Sequence, residues 1–261
     1  MRIVTWNVNS LNARRELVER YLDAESPDVL CVQELKLETE AVPREVFESR
    51  GYEVAIHGQP KWNGVLIASR RPLSEVHMGL PGGDEGESRL IAATVDGVRI
   101  VNLYCPQGQS EDSPKFPYKL GFYDALIAWV AAAHTPDQPL VVTGDLNVAP
   151  EPDDVWDLAA FENVPSHHPL ELQRWETLVG WGLIDVVKPR LPDNPKERFS
   201  FWDYRGMAFR FNHGMRIDHV LVTAPLVPRV TAAGIQRDWR KKRGELTPSD
   251  HAPVFADIAA P

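Results

Sequence analysis

Short apolar runs that stop on a polar residue constrain this chain of 261 residues more than any other feature. "RIVTWNV" delivers Asn7, "DVLCVQE" delivers Gln33-Glu34, "VRIVNLY" ends on Tyr104, and "LVVTGD" ends on Asp145 with Asn147 two positions on. Such runs read as buried β-strands. "YEVAIH", "GVLIAS", "LIAATV", "HVLVTA" and "VFADI" add further strands. Between them Leu17, Val18, Tyr21 and Leu22 repeat at helical spacing, as do Tyr123, Leu126, Ile127 and Val130 in a helix over 116–133. A second such pattern predicts a helix over 168–180. Strand runs with helices interspersed predict an α/β fold of sheets covered by helices.

Polar residues at the carboxyl ends of such strands lie where ligand sites gather in open α/β sheets. Side chains two apart on an extended segment share one side. If the strand persists through residue 147, Asp145 and Asn147 project together. Taken singly, each has a structural reading: Asn7 as a turn former, Glu34 as a helix cap, Asp145 as the acceptor of an Asx-turn. Taken together, carboxylate and amide oxygens in one pocket suit a hard cation such as magnesium, which leaves places for phosphate and water. Among the eight histidines none has zinc spacing, and the adjacent His167-His168 are poorly placed to converge on one metal. Asp250-His251, in "TPSDHAPV", sits in a Pro-bounded turn before the last strand, and Asp218 in "RIDHVLV" is a candidate partner for the imidazole. A carboxylate bonded to a histidine raises its pKa and fixes its tautomer.

Composition narrows the class. Apolar residues make up 43% of the chain, enough for a real core. No uncharged apolar stretch is long enough to span a bilayer, and the N-terminus lacks a signal peptide's apolar centre. Cys31 and Cys105 each sit in an apolar run, so buried free thiols and a reducing cytoplasm are expected. No composition break marks a linker, so one domain over 1–261 is expected. Against 37 acidic residues stand 28 basic ones, a net charge of −9 that argues against a polyanionic partner unless one face concentrates the bases. Arg205, Arg210 and Arg216 form one candidate cluster; Arg237, Arg240, Lys241, Lys242 and Arg243 form another, which also reads as a solvated loop. "FSFWDYRGMAFRFNHGMRID" interleaves aromatic residues and arginines, a composition suited to base stacking and phosphate contact. Trp202, Arg205 and Arg216 are therefore expected to touch DNA, although Phe199 to Trp202 also fit a core-forming hairpin.

"IVTWNVNSLNAR", "DVLCVQELK", "VNLYCPQG", "GDLNVAP", "RFSFWDYR", "GMRIDHVLV" and "PSDHAPV", in this order, resemble the exonuclease III family of the endonuclease/exonuclease/phosphatase superfamily. The resemblance implies a four-layer α/β sandwich of the deoxyribonuclease I type, with two packed mixed β-sheets flanked by helices. It implies a monomeric Mg2+-dependent phosphodiesterase, with Mn2+ as substitute, acting on double-stranded DNA. Its activities would be cleavage 5′ to abasic sites and 3′ to 5′ digestion and trimming of 3′ ends. Carried over residue by residue, Glu34 would be the principal metal ligand, and Asn7, Asp250, Asp145, Asn147 and His251 would complete the metal site. Asp145 would activate the attacking water and Asn147 would hold it. Tyr104 would contact the phosphate or assist transfer, and His251, steadied by Asp218, would meet charge on the phosphoryl oxygens. Phe201, Met215 and Ile217 would wall a pocket for a flipped-out abasic sugar. Trp62 would meet DNA across a groove, with Lys36 and Arg89 as secondary contacts. Phe201-Trp202 follow the order of the family's eukaryotic branch, and residues 149–172 match poorly. Two other readings remain: a superfamily relative acting on inositol phosphates or phospholipid head groups, which "FSFWDYR" and "GMRID" weigh against, and a binding module that has lost catalysis, which would lack part of this constellation.

Overall fold

The computed structural model describes residues 1–84 and 86–260. Among these, twelve strands form two six-stranded sheets. The first has the order β11 (Val230–Ile235), β12 (Val254–Ile258), β1 (Arg2–Asn7), β2 (Val29–Gln33), β4 (Val65–Ser69), β3 (Glu53–His57). The second has the order β5 (Ser74–Met78), β6 (Leu90–Val95), β7 (Val98–Tyr104), β8 (Leu140–Asp145), β10 (Asp218–Thr223), β9 (Leu183–Asp185). Each sheet is antiparallel except at one central pair, β1–β2 in the first and β7–β8 in the second. Parallel neighbours need a crossover connection. Helix α1 (Leu11–Glu25) supplies it in the first sheet and α3 (Lys115–Ala133) in the second. Asn7 and Gln33 close one parallel pair, and Tyr104 and Asp145 close the other, opposite each other in register.

Strand alternation explains the layering. On β1, Ile3 enters the core between the sheets, whereas Val4 and Trp6 face outward onto a second core with Leu17, Val18, Tyr21 and Leu22 of α1. Leu140 and Val142 of β8 likewise meet Tyr123, Leu126 and Val130 of α3. Because both faces are covered, the central strands carry apolar residues on both sides. The result is a four-layer α/β sandwich, as expected. Helix α4 (Pro169–Gly180) runs from His168, whose ring caps Leu170 N–H, with Pro169 at the first position where a missing donor costs nothing. Cys31 and Cys105 are buried and unpaired. No helix among the described residues is long and apolar enough to cross a membrane.

The sequence patterns missed β5, β9 and β11 and the single turn α2 (Glu45–Glu48). All three strands lie at sheet edges. An edge strand needs less apolar surface, so β5 is mostly exposed and β11 is built largely of alanine and glycine. A further correction concerns β8, which ends at Asp145 and does not persist to residue 147. Asn147 turns into the left-handed region at φ 51°. The segment 149–169 runs over the surface as expected, yet Asp154 within it is wholly buried.

Gly144 is required where β8 meets β7. Its φ is 137°, and a Cβ there would lie 1.9 Å from the Leu103 carbonyl oxygen. One added methyl group gains at most about 0.8 kcal/mol from burial, far less than a backbone clash and a forbidden φ cost. Gly144→Ala is expected to destabilise the fold by roughly 3 kcal/mol or more, in the range of the severe backbone substitutions. Urea denaturation followed by tryptophan fluorescence measures this, and an unchanged midpoint would contradict the account.

Candidate active site

Two βαβ units, one per sheet, bring four chain segments to one rim. Asn7 stands at its centre. Its Nδ2 donates to Glu34 Oε1 and to Asp145 Oδ2, each at 2.8 Å, so one amide draws together carboxylates from opposite sheets. Its Oδ1 accepts from Asn9 N–H at 2.9 Å. Asn7, expected among the metal ligands, braces two carboxylates through its amide nitrogen while its oxygen accepts from Asn9.

Glu34 follows β2 with φ 55°, an unusual conformation for a residue with a long side chain. The turn points its carboxylate back over the rim. Lys36 Nζ lies 2.9 Å from Glu34 Oε2 and donates to Asn9 Oδ1 at 2.5 Å. Burial would push the Glu34 carboxyl upward, but Lys36 and the Asn7 amide outweigh it and hold the pKa below the ordinary value. Asn9 Nδ2 in turn reaches the Asp250 carboxylate at 3.1 and 3.2 Å.

On the second sheet, Asn147 N–H donates to Asp145 Oδ1 at 3.0 Å, an Asx-type turn, while Asn147 Nδ2 donates to Cys105 O at 2.9 Å. The two side chains thus reach the same cleft through a left-handed turn rather than through strand alternation. Burial pushes the Asp145 carboxyl up, reinforced by Asp218 and Glu34 and opposed by His251 and Asn7. Burial, Glu34 and Asp145 also raise the Tyr104 phenol.

His251 is nearly closed off from solvent, at 3% exposure. Its Nδ1 lies 2.8 Å from Asp218 Oδ2, which also accepts from Ser200 Oγ at 2.6 Å. Its Nε2 lies 3.7 Å from Asp145 Oδ2. Burial alone would depress the imidazole pKa, but Asp218 and Asp145 overcome it and raise the value to about 10. The ring is therefore a cation at neutral pH, with Nε2–H free to donate.

A metal has two possible seats by geometry. Asp145, Asp218 and His251 offer ligand atoms within 4.8 Å of one another, but His251 Nδ1 and Asp218 Oδ2 are bonded to each other and a protonated imidazole has no lone pair to give, although Asp218 Oδ1 is left without a partner. The cluster of Glu34 and Asp145, with Asp250 held nearby through Asn9, is all oxygen. With Asp218 these make four carboxylates against the two cations Lys36 and His251. That deficit and the hard donor set fit a divalent ion on Glu34 and Asp145.

The cleft above these groups measures about 420 Å³. Phe201, Met215 and Ile217 form one wall, joined by a backbone bridge between Phe201 and Met215. The Phe201 ring lies 4.9 Å from that of His251. Gln107, Gln109, Ser166 and Asp203 also line the cleft and were not singled out in the sequence. The first two lie directly after Tyr104, where the strand-end rule could have found them.

Two expected DNA contacts, Trp202 and Arg216, are corrected. Trp202 is fully buried; its indole N–H donates to Asn212 Oδ1 and its ring packs against Phe209. Arg216 is 1% exposed, bidentate to Asp154 at 2.7 Å and bonded to Asp185 at 2.6 Å. Neither side chain can reach DNA; both carry structure beneath the wall. Lys36 is part exposed and pairs with Glu34 at the rim. Arg89 is held by Glu87 at 2.9 Å, lies over the Tyr104 ring at 4.9 Å and lines a neighbouring cleft together with Trp62. Trp62 is 68% exposed, and Arg205 projects beside the cleft, paired with Asp203 at 2.7 Å. In the second basic cluster, Arg237 and Arg243 stack on Phe209 and Trp239 at 4.1 and 4.0 Å, whereas Lys241 and Lys242 are exposed.

Comparison with known proteins agrees with this geometry. Residues 4–251 match the Endonuclease/Exonuclease/phosphatase family. The chain is 33% identical over 272 residues to exodeoxyribonuclease III of Haemophilus influenzae, covering 99% of this chain and 100% of that one. Among solved structures, a 3′-5′ exonuclease from Neisseria meningitidis superposes with a TM-score of 0.92 at 37% identity. An AP endonuclease from Archaeoglobus fulgidus superposes with a TM-score of 0.93 at 34% identity, and both structures are covered in full, as is this chain. With a full-length relative at this identity and a family match across nearly all its residues, the chain belongs to the endonuclease/exonuclease/phosphatase family, hydrolases that act on phosphodiester bonds.

Proposed function

We propose that the protein is a DNA-repair nuclease that cuts duplex DNA 5′ to abasic sites and trims 3′ ends with 3′ to 5′ exonuclease activity. The observation that carries this reading is the meeting of Glu34, Asp145 and His251 in one cleft walled by Phe201, Met215 and Ile217. A carboxylate cluster and an imidazolium serve phosphodiester hydrolysis. An apolar wall beside them suits a sugar that has lost its base, for which flipping out costs least. A monomer with one domain over 1–261 belongs to the same reading. The free buried thiols Cys31 and Cys105 suit the cytoplasm.

Glu34 and Asp145 would hold Mg2+, or Mn2+ in its place. A divalent cation bound there supplies Lewis-acid polarisation of a phosphoryl oxygen. Asp145 takes the proton of the attacking water. Asn147, fixed by its bond to Cys105 O, aims the water. His251 donates from Nε2 to the phosphoryl oxygen as charge develops there. Asp218 holds the proton on Nδ1 and keeps the ring cationic. Tyr104 offers its neutral hydroxyl to the phosphate. Trp62, Arg205 and the exposed Arg210 are the surface groups placed to meet the duplex.

Three outcomes are expected. Asp145→Asn and His251→Ala should each lower turnover on an end-labelled abasic duplex by at least ~100-fold, the scale of a lost general base or charge-stabilising donor. Near-normal cleavage by either purified variant would remove its assigned role. DNA affinity should fall steeply between low and moderate salt despite the acidic total, since arginines displace phosphate counterions. A flat fluorescence-anisotropy titration series would contradict this. The third concerns pH. His251 titrates near about 6.5 in the unfolded chain and at about 10 in the folded one. Its stabilising contribution is therefore complete below about pH 6.5 and disappears as pH rises towards 10. In chelator, the stability difference between the wild type and His251→Gln should shrink across that window; a constant difference would show that the cation is not retained.

A further inference from the structure

Behind the cleft, a wholly buried charge holds the segments that line it. Lys119 on α3 has no solvent exposure, and its Nζ lies 2.5 Å from Glu171 Oε1, which is equally buried. The same ammonium donates to the backbone oxygen of Asn147 at 2.7 Å and to that of Gln107 at 3.3 Å. Glu171 Oε2 accepts from the N–H groups of Ser166 and His168, at 2.7 and 3.2 Å. Four residues along the helix, Tyr123 Oη donates to Leu146 O at 2.6 Å. One helix face thus holds two successive carbonyls of the turn after Asp145.

A buried ion pair is weak evidence for stability, since apolar residues of the same volume often serve as well or better. What this pair does specify is direction. Asn147 stands at φ 51° between two held peptide planes: Tyr123 fixes the plane before it, whose N–H lies on Asp145 Oδ1, and Lys119 fixes the plane after it. We propose that Lys119 is a positioning residue: with Glu171 it fixes the turn that carries Asp145 and Asn147, the Gln107 turn and the Ser166 turn in one arrangement. It acts on the reaction without touching substrate. The inference rests on the reading of Asp145 and Asn147 as the groups that handle water.

The test compares stability with catalysis and with local order. In Lys119→Met/Glu171→Gln both charges are removed together, so the urea midpoint should stay near that of the wild type. Turnover on the abasic duplex should nevertheless fall roughly 30-fold with little change in KM, since displacement of reacting groups by an ångström costs up to about 100-fold. Amide hydrogen exchange at 105–109 and 146–149 should quicken at least ~10-fold. Lys119→Met alone should lose stability as well, and Lys119→Arg should recover part of kcat. Wild-type kcat and wild-type protection in the double variant would overturn the proposal. If the double variant does not fold, exchange in Glu171→Gln decides, and unchanged protection at residue 147 overturns it. A wild-type protein inactive on both abasic duplexes and 3′ ends would defeat the reading of the site, and the exchange data would still decide the role of Lys119.

Discussion

Asn102 on β7 reaches across the gap between the two sheets and donates to the carbonyls of Val32 and Leu66 at 3.0 and 2.9 Å. Its Oδ1 accepts from Gln33 Nε2 at 2.6 Å, and the same nitrogen reaches Thr5 Oγ1 at 2.8 Å. Apolar faces packed on each other tolerate small slips, because burial is not directional. Buried hydrogen bonds do not: each group left unpaired costs about 1–3 kcal/mol. This polar clamp lies just below the rim, one residue from Glu34 and two from Tyr104. It fixes which end of one sheet faces which end of the other, and the distance from Glu34 to Asp145 depends on that registration.

Above the clamp, the site is assembled from backbone conformations that open chains avoid. Glu34, Lys36 and Asn147 all lie at positive φ, and Gly144 occupies a conformation closed to other residues. Such strain persists only where surrounding contacts over-determine it. Those contacts are the Asn7 amide shared by two carboxylates, the Asn9 bridge between Lys36 and Asp250, and the Ser200–Asp218–His251 chain. Lys36 and His251 offset two of the four carboxylates, so carboxylates from two sheets approach one another with negative charge left over.

The arginines of this chain divide by burial rather than by sequence neighbourhood. Arg216, between the cleft-lining Met215 and Ile217, points the opposite way into Asp154 and Asp185, and so ties the surface segment 149–169 to the floor of the wall. Arg205, earlier in the same run, is open to solvent. Both sit in a run whose composition suits nucleic-acid contact. Composition reports which groups are available; only the pleat and the return of the chain decide which of them face outward.

The sequence alone determined the covered central strands, the helices α1, α3 and α4, and the strand-end residues Asn7, Glu34, Tyr104 and Asp145. Periodicity and the burial of both sheet faces are local properties and are written into consecutive residues. Edge strands such as β5 and β9 were not legible, since their stability comes from a neighbour and not from their own pattern. The tertiary structure decided the rest: that Asn147 arrives by a left-handed turn, that Asn7 braces two carboxylates, that Trp202 and Arg216 are interior, and that Lys119 stands beneath Asn147. Each of these depends on a contact between residues far apart in the chain, whose partner no local pattern names.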